Sequence, residues 1–329
     1  MNSLKKIVPL QLKSPIAVFL REFGKFPLGL VCKHVLRTYI EEGGTVTQKK
    51  REKIYKDVHR STLDYLDAQF GHIISESKNH YVPGEKPKEA VIWVFWWQGE
   101  ANAPDIIKRC IASIRRNACG MTVQVIDSEN YDEFVTVPSH ITQKMTSGII
   151  SFTHFSDYYR MALLAAHGGM WIDASLYVKD QLPQEIHDMP IYSVKNPGAD
   201  ITNVSNWEWT VGAIAGWKGN TLFCEVEKLL SEYWKTNNRV VDYFLFDYMI
   251  RLVVSRCERL QKELTRIPEN NPSFMYLQNH LGDPADLYMD KFYDQDTVIY
   301  KISWKNVYPQ FTIDGRETVY SQWLSDNSL

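Results

Sequence analysis

Two carboxylates and a guanidinium within residues 152–178 (FTHFSDYYRMALLAAHGGMWIDASLYV) are spaced for ligand chemistry. Asp157 and Arg160 stand three apart, which puts them on one face of a helix. His167, Gly168 and Gly169 stop that helix, since glycine takes the left-handed backbone conformation without steric cost. Met170, Trp171 and Ile172 then read as a short buried strand, with Asp173 at its end. A carboxylate at the carboxyl end of such a strand lies where open α/β sheets bind ligands. Two plainer readings compete. Asp173 caps the next turn, or Asp157 and Arg160 form a surface ion pair worth roughly 0.3 kcal/mol.

Two further groups invite chemistry. Asp247 is set among Phe244, Leu245, Phe246 and Tyr248, and a carboxylate in apolar surroundings needs a partner or a function. Asp242 precedes it near a helix start, where it also suits the helix dipole. Asn206, Trp207 and Trp209 flank Glu208 in a polar, aromatic loop. Aromatic faces beside amide and carboxylate groups suit pyranose rings, which present apolar C–H faces and hydroxyl rims.

The spacing of Ser156-Asp157, Arg160, Gly168-Gly169 and Asp173-Ala-Ser175 resembles a block of the capsular polysaccharide synthesis proteins. These are a bacterial branch of the DxD-containing glycosyltransferases, close to the glycosyltransferase-32 group. The resemblance covers roughly residues 90–310 and is weak before that. It implies a GT-A-like nucleotide-sugar fold and sugar transfer, with retention at the anomeric carbon. It also implies a donor site: Trp97, Gln98 and Gly99 beside the base, Asp157 and Arg160 on sugar, ribose or phosphate, and Gly168, Gly169 and Ser175 in the same block. Lys301 and Lys305 of KISWK match a segment that meets the diphosphate. Asp173 is the catalytic carboxylate and, with Ser175, the expected ligand of a Mn²⁺ or Mg²⁺ ion. Ser175 stands where the family's second carboxylate belongs, and a neutral hydroxyl is a weaker ligand for a hard cation. Asp247, with Asp242 behind it, is the candidate for contacting the acceptor or an oxocarbenium-like transition state. Asn206, Trp207 and Trp209 are the sugar and acceptor candidates.

The elements that would position these groups follow from periodicity. Residues 90–97 (AVIWVFWW) form the near-continuous apolar run of a strand buried on both faces. A helix to about residue 116 and a strand at 122–127 continue it as a βαβ start. Strands are expected at 190–194 and 211–215, and helices at 220–236 and 241–264. Residues 15–40 and 48–78 read as two helices separated by Gly43-Gly44, and 81–87 as a turn-rich linker. This divides the chain into a helical N-terminal region, 1–80, and a catalytic α/β domain, 88–329: a Rossmann-like mixed sheet flanked by helices. In the terminal segment, Gly315 turns the chain and Thr318, Tyr320 and Trp323 pack.

Composition bounds the rest. The 329 residues are 44% hydrophobic and 23% charged with net charge −2, which argues against nucleic-acid binding. Residues 1–60 hold 13 Lys/Arg against 5 Asp/Glu, a local +8. Such a segment suits an anionic membrane surface or, equally, a solvated helical face. Five cysteines without CxxC spacing read as reduced thiols of a cytoplasmic protein, and neither a signal peptide nor a spanning helix is expected. The functional expectation is a transferase using a UDP-sugar and a lipid-linked glycan acceptor at the inner face of the membrane. The alternatives are a catalytically lapsed sugar-nucleotide-binding subunit and a phosphosugar transferase.

Overall fold

A computed structural model describes residues 14–74, 81–293 and 296–325. The first three helices are α1 (Pro15–Glu22), α2 (Leu28–Glu41) and α3 (Gln48–Phe70). The single helix expected over 15–40 is thus two. Gly24 takes a left-handed φ of +73°, and Pro27, which has no N–H to donate, is the N-cap of α2. The helix expected to run to residue 78 ends at Phe70, and 75–78 lie outside the described residues.

The sheet-bearing part begins with β1 (Val91–Phe95), α4 (Asp105–Arg116) and β2 (Thr122–Ile126). The chain continues through α5 (Ser139–Thr146), α6 (Phe152–His167), β3 (Gly169–Ile172), β4 (Leu176–Val178), β5 (Ile191–Ser193) and β6 (Ala213–Gly216). It is completed by α7 (Thr221–Thr236), α8 (Leu245–Arg256), α9 (Glu258–Arg266), α10 (Tyr276–His280), α11 (Ala285–Tyr293), β7 (Ile299–Lys301) and α12 (Val319–Ser325). The helix expected at 241–264 is therefore also two. Cys257 takes an extended backbone between α8 and α9, and the Ser255 hydroxyl donates to the Leu252 carbonyl in the last turn of α8.

A mixed five-stranded sheet in the order β2-β1-β3-β6-β5 forms the centre, flanked by helices. β1 pairs parallel with β2 and β3; β6 pairs antiparallel with β3 and β5. Parallel neighbours bring the carboxyl ends of β1, β2 and β3 to one edge, the edge at which α/β sheets hold ligands. A separate antiparallel pair, β4 with β7, carries Leu176 opposite Lys301. The helical N-terminal region shares its core with the sheet. Phe26, Leu30, Val31, Leu66 and Phe70 belong to the same buried cluster as Ile92, Trp171 and Ile214. The turn-rich segment 81–87 is docked too: Tyr81 is buried and Glu85 pairs with Lys218.

Candidate active site

Asp173 leaves β3 with its backbone N–H bonded to the Gly212 carbonyl at 2.8 Å, so the end of the strand fixes the residue. Its Oδ1 accepts from Trp171 Nε1 at 2.8 Å and from Arg160 Nη2 at 3.0 Å. Burial opposes its ionisation. Arg160, Lys301 and the Trp171 indole outweigh that and hold the carboxyl below its ordinary range. Gly212 closes one side: a β-carbon there would stand 2.8 Å from Asp173 Oδ2.

Arg160 comes from α6, whose start is capped by the Ser151 hydroxyl. Its guanidinium packs over Trp171 at 4.8 Å and Phe246 at 5.0 Å, and its other Nη lies 3.4 Å from Asp157 Oδ1. Arg160 is only 3% exposed, with both Nη atoms engaged by carboxylates. This corrects the expectation that it touches donor. It orients Asp157 and Asp173 instead. Asp157 also lies 3.5 Å from His154 Nδ1 and stays partly exposed.

Asp247 sits in the first turn of α8 and accepts from Trp209 Nε1 at 2.8 Å. Burial raises its carboxyl to about 6, with the charge of Asp157 adding to the rise while Trp209, Arg160 and Arg251 oppose it. Asp157, Arg160, Asp173 and Asp247 therefore form one electrostatic neighbourhood.

The remaining expected residues divide. Lys301 and Ser175 belong with Asp173: Lys301 Nζ donates to Ser175 Oγ at 2.9 Å and lies 3.8 Å from Asp173 Oδ2. Trp97 follows β1 and stacks on Phe152 at 5.3 Å, while Gln98 is exposed and Gly99 takes φ +75° with Asp127 beside it. Lys305 is exposed on the loop after β7, its ammonium 5.8 Å from the Trp304 ring. Gly168 and Gly169 are not at this edge. They open β3 at its other end, where added β-carbons would meet the Lys218 nitrogen at 2.6 Å and the Val91 carbonyl at 2.4 Å. Their role is close backbone packing at positive φ, not donor contact.

Asp242 is also corrected. Its carboxylate is buried against Arg37 Nη1 at 2.6 Å, with His34 at 3.7 Å, which makes it an internal anchor for α2. Trp209 cannot serve as a sugar platform, because it is 1% exposed and its ring is covered by the Arg251 guanidinium at 4.4 Å. Arg251 is in turn held by Glu208 at 2.9 Å. Trp207 is partly buried against the core with φ +61°, and Asn206 lines an open groove of about 410 Å³ with Lys56, His59 and Arg60 of α3.

Sequence reasoning missed three contributors. Trp171 looked like a core residue, and nothing in its spacing shows that its indole N–H turns to Asp173. Tyr243 sets its ring 6.1 Å from that of His154, and desolvation of its hydroxyl, followed by the charges of Asp157, Asp173 and Asp247, raises its pKa. Trp96 meets Trp304 edge-on at 5.3 Å and joins the end of β1 to the terminal loop.

These donors do not fit a protein-held divalent ion. Asp173 Oδ1 is already shared by two donors, and Ser175 Oγ accepts from an ammonium. Among the described residues no three His, Cys, Asp or Glu side chains gather as ligands.

Residues 44–323 match the family model described as capsular polysaccharide synthesis protein. The chain belongs to that family. It is 30% identical over 110 residues, 31% of this chain, to the O-glycosyltransferase PaGT of Phomopsis amygdali. It is 24% identical over 163 residues, 44% of this chain, to the O-glycosyltransferase braB of Annulohypoxylon truncatum. The matched parts span 27% and 37% of those two relatives. A solved structure of PaToxG Glycosyltransferase superposes with a TM-score of 0.36 and 14% identity, over 66% of this chain and 88% of that one.

Proposed function

We propose that this member of the capsular polysaccharide synthesis family is a glycosyltransferase of GT-A architecture. It moves a sugar from a nucleotide donor, UDP-linked and with retention, to a lipid-linked glycan acceptor in capsule or exopolysaccharide assembly. The observation that carries the reading is the convergence of Asp157, Arg160, Asp173 and Lys301 at the carboxyl edge of β3. Sugar transfer needs a neutralised diphosphate leaving group and a positioned acceptor hydroxyl.

In this reading the glycosidic C–O bond breaks with its electron pair left on the β-phosphate oxygen, beside the Lys301 ammonium. The acceptor oxygen forms the new bond to the anomeric carbon from the face that the diphosphate leaves, which retains the configuration, and releases its proton to the Asp247 carboxylate, which Trp209 orients. Asp157, which Arg160 positions, takes sugar or ribose hydroxyls, and Gln98 and Gly99 leave room for the base. The exposed apolar stripe of Ile16 and Leu20 on α1 and Phe23 at its C-cap, beside Arg21 and Lys25, supports residence on an anionic bilayer, close to a lipid-linked acceptor. No helix among the described residues is long and apolar enough to cross a membrane.

The test is calorimetric titration of UDP and GDP into wild type and Asp173→Asn, with thermal unfolding run alongside. One nucleoside diphosphate should bind the wild type and weaken at least about tenfold in the folded variant. Absence of binding by either nucleotide sinks the proposal.

A further inference from the structure

Ser175 leaves a gap where a second carboxylate would help Asp173 hold a cation, and the ammonium of Lys301 fills it. Nζ is 2.9 Å from Ser175 Oγ and 3.8 Å from Asp173 Oδ2, so one lysine head bridges both positions. Lys301 is not a loose surface cation. It pairs with Leu176 across β4 and β7, and its own N–H bonds to the Phe274 carbonyl at 2.7 Å. The next residue, Ile302, donates its N–H to the Ser175 carbonyl at 3.1 Å. Lysine and serine are thus tied together by backbone pairing before any ligand arrives. The side chain remains 30% exposed, enough for one face of the ammonium to meet a ligand.

We propose that Lys301 is the built-in cation of this site. Its ammonium stands between Asp173 and Ser175 in place of a divalent ion and neutralises the donor diphosphate without one. This deepens, and rests on, the nucleotide-sugar reading given above. Three physical facts favour the lysine. A hard divalent cation needs several anionic or carbonyl oxygens, whereas this pair offers one free carboxylate oxygen and a neutral hydroxyl. A cation entering the same space would face the like charge of the ammonium at short range. A lysine carries three donors, and only one is spent on the Ser175 hydroxyl while Asp173 Oδ2 stands at ion-pair distance, so donors remain for a phosphate oxygen. Lys305, exposed on the following loop, adds a second positive charge on the same segment.

UDP and GDP are titrated calorimetrically into wild type, Lys301→Met and Lys301→Arg, first in EDTA and then in Mn²⁺, with thermal unfolding to establish that each variant is folded. Expected is a wild-type Kd that changes by less than about twofold between EDTA and Mn²⁺, at least about tenfold weaker binding by Lys301→Met in both buffers, and an intermediate loss for Lys301→Arg. A wild-type Kd that weakens more than about tenfold in EDTA and recovers in Mn²⁺ overturns the inference while leaving the transferase reading standing. Wild-type affinity in Lys301→Met overturns it as well. The buffer comparison needs no mutant, so misfolding of a variant does not rescue the idea. Failure of every nucleotide in both buffers removes the transferase reading and this inference together.

Discussion

At the residue scale, Asp173 and Asp247, both in the field of Arg160, respond oppositely to pH. Asp173 has its pKa depressed, so its contribution to stability is present above the unfolded value and is lost as pH falls through the lowered one. Asp247 is raised by burial to about 6. Its protonated form is the one the fold favours, so that contribution is full below about pH 4 and is lost as pH rises through the folded pKa. Asp247→Asn removes the charge but keeps an acceptor for the Trp209 indole. Relative to wild type it should gain on the order of 3 kcal/mol of stability at about pH 8 and almost nothing at about pH 4. Sugar transfer should fall about 100-fold in this variant, and the wild-type rate should show an acid limb near the Asp247 pKa. Thermal unfolding at the two pH values checks the first part; equal stability differences at both would remove the assigned environment. The position of Asp173 was legible in the sequence, because the apolar run of residues 170–172 reads as a strand that the carboxylate ends. The work of Trp171 and Tyr243 was not, since side-chain direction depends on neighbours brought in from α6 and α8.

At the element scale, α2 matters to the site through an ion pair remote in sequence. Arg37 of α2 reaches Asp242, five residues before Asp247, and His34 and Glu22 extend the buried network at 2.8 Å. Breaking a buried pair by removing one partner leaves an uncompensated charge. Arg37→Met should therefore cost about 3 kcal/mol in denaturant unfolding, while Asp242→Asn with Arg37→Met together should recover part of that loss. A neutral effect of Arg37→Met would show that the Asp242 segment is held by packing alone. The Asp242 role was hidden from sequence because its partner lies 205 positions away along the chain. The pairing of β4 with β7 was hidden for a related reason. Each strand spans three residues, too short for an alternation signal, and only the pairing itself brings Lys301 to Ser175.

At the scale of the whole molecule, charge and exposed apolar surface coincide at one end of the chain. Residues 1–60 carry +8 and the remainder −10, and Ile16 and Leu20 are 73% and 70% exposed on α1. Apolar insertion beside lysines and arginines is how an interfacial helix holds an anionic bilayer. Ile16→Glu combined with Leu20→Glu should lower co-sedimentation with anionic vesicles at least about tenfold while leaving the melting temperature near wild type, since exposed side chains add little to the fold. Undiminished sedimentation would move α1 off the membrane. The sequence by itself determined the βαβ start, α6, β3 and the edge at which Asp173 emerges, because local periodicity and glycine punctuation are properties of adjacent residues. Only the tertiary structure decided that Gly168 and Gly169 pack backbone against backbone, that Trp209 is covered, that Arg160 orients carboxylates, and that a lysine ammonium bridges Asp173 and Ser175. Those outcomes depend on contacts between segments far apart in the chain, which spacing along one segment does not encode.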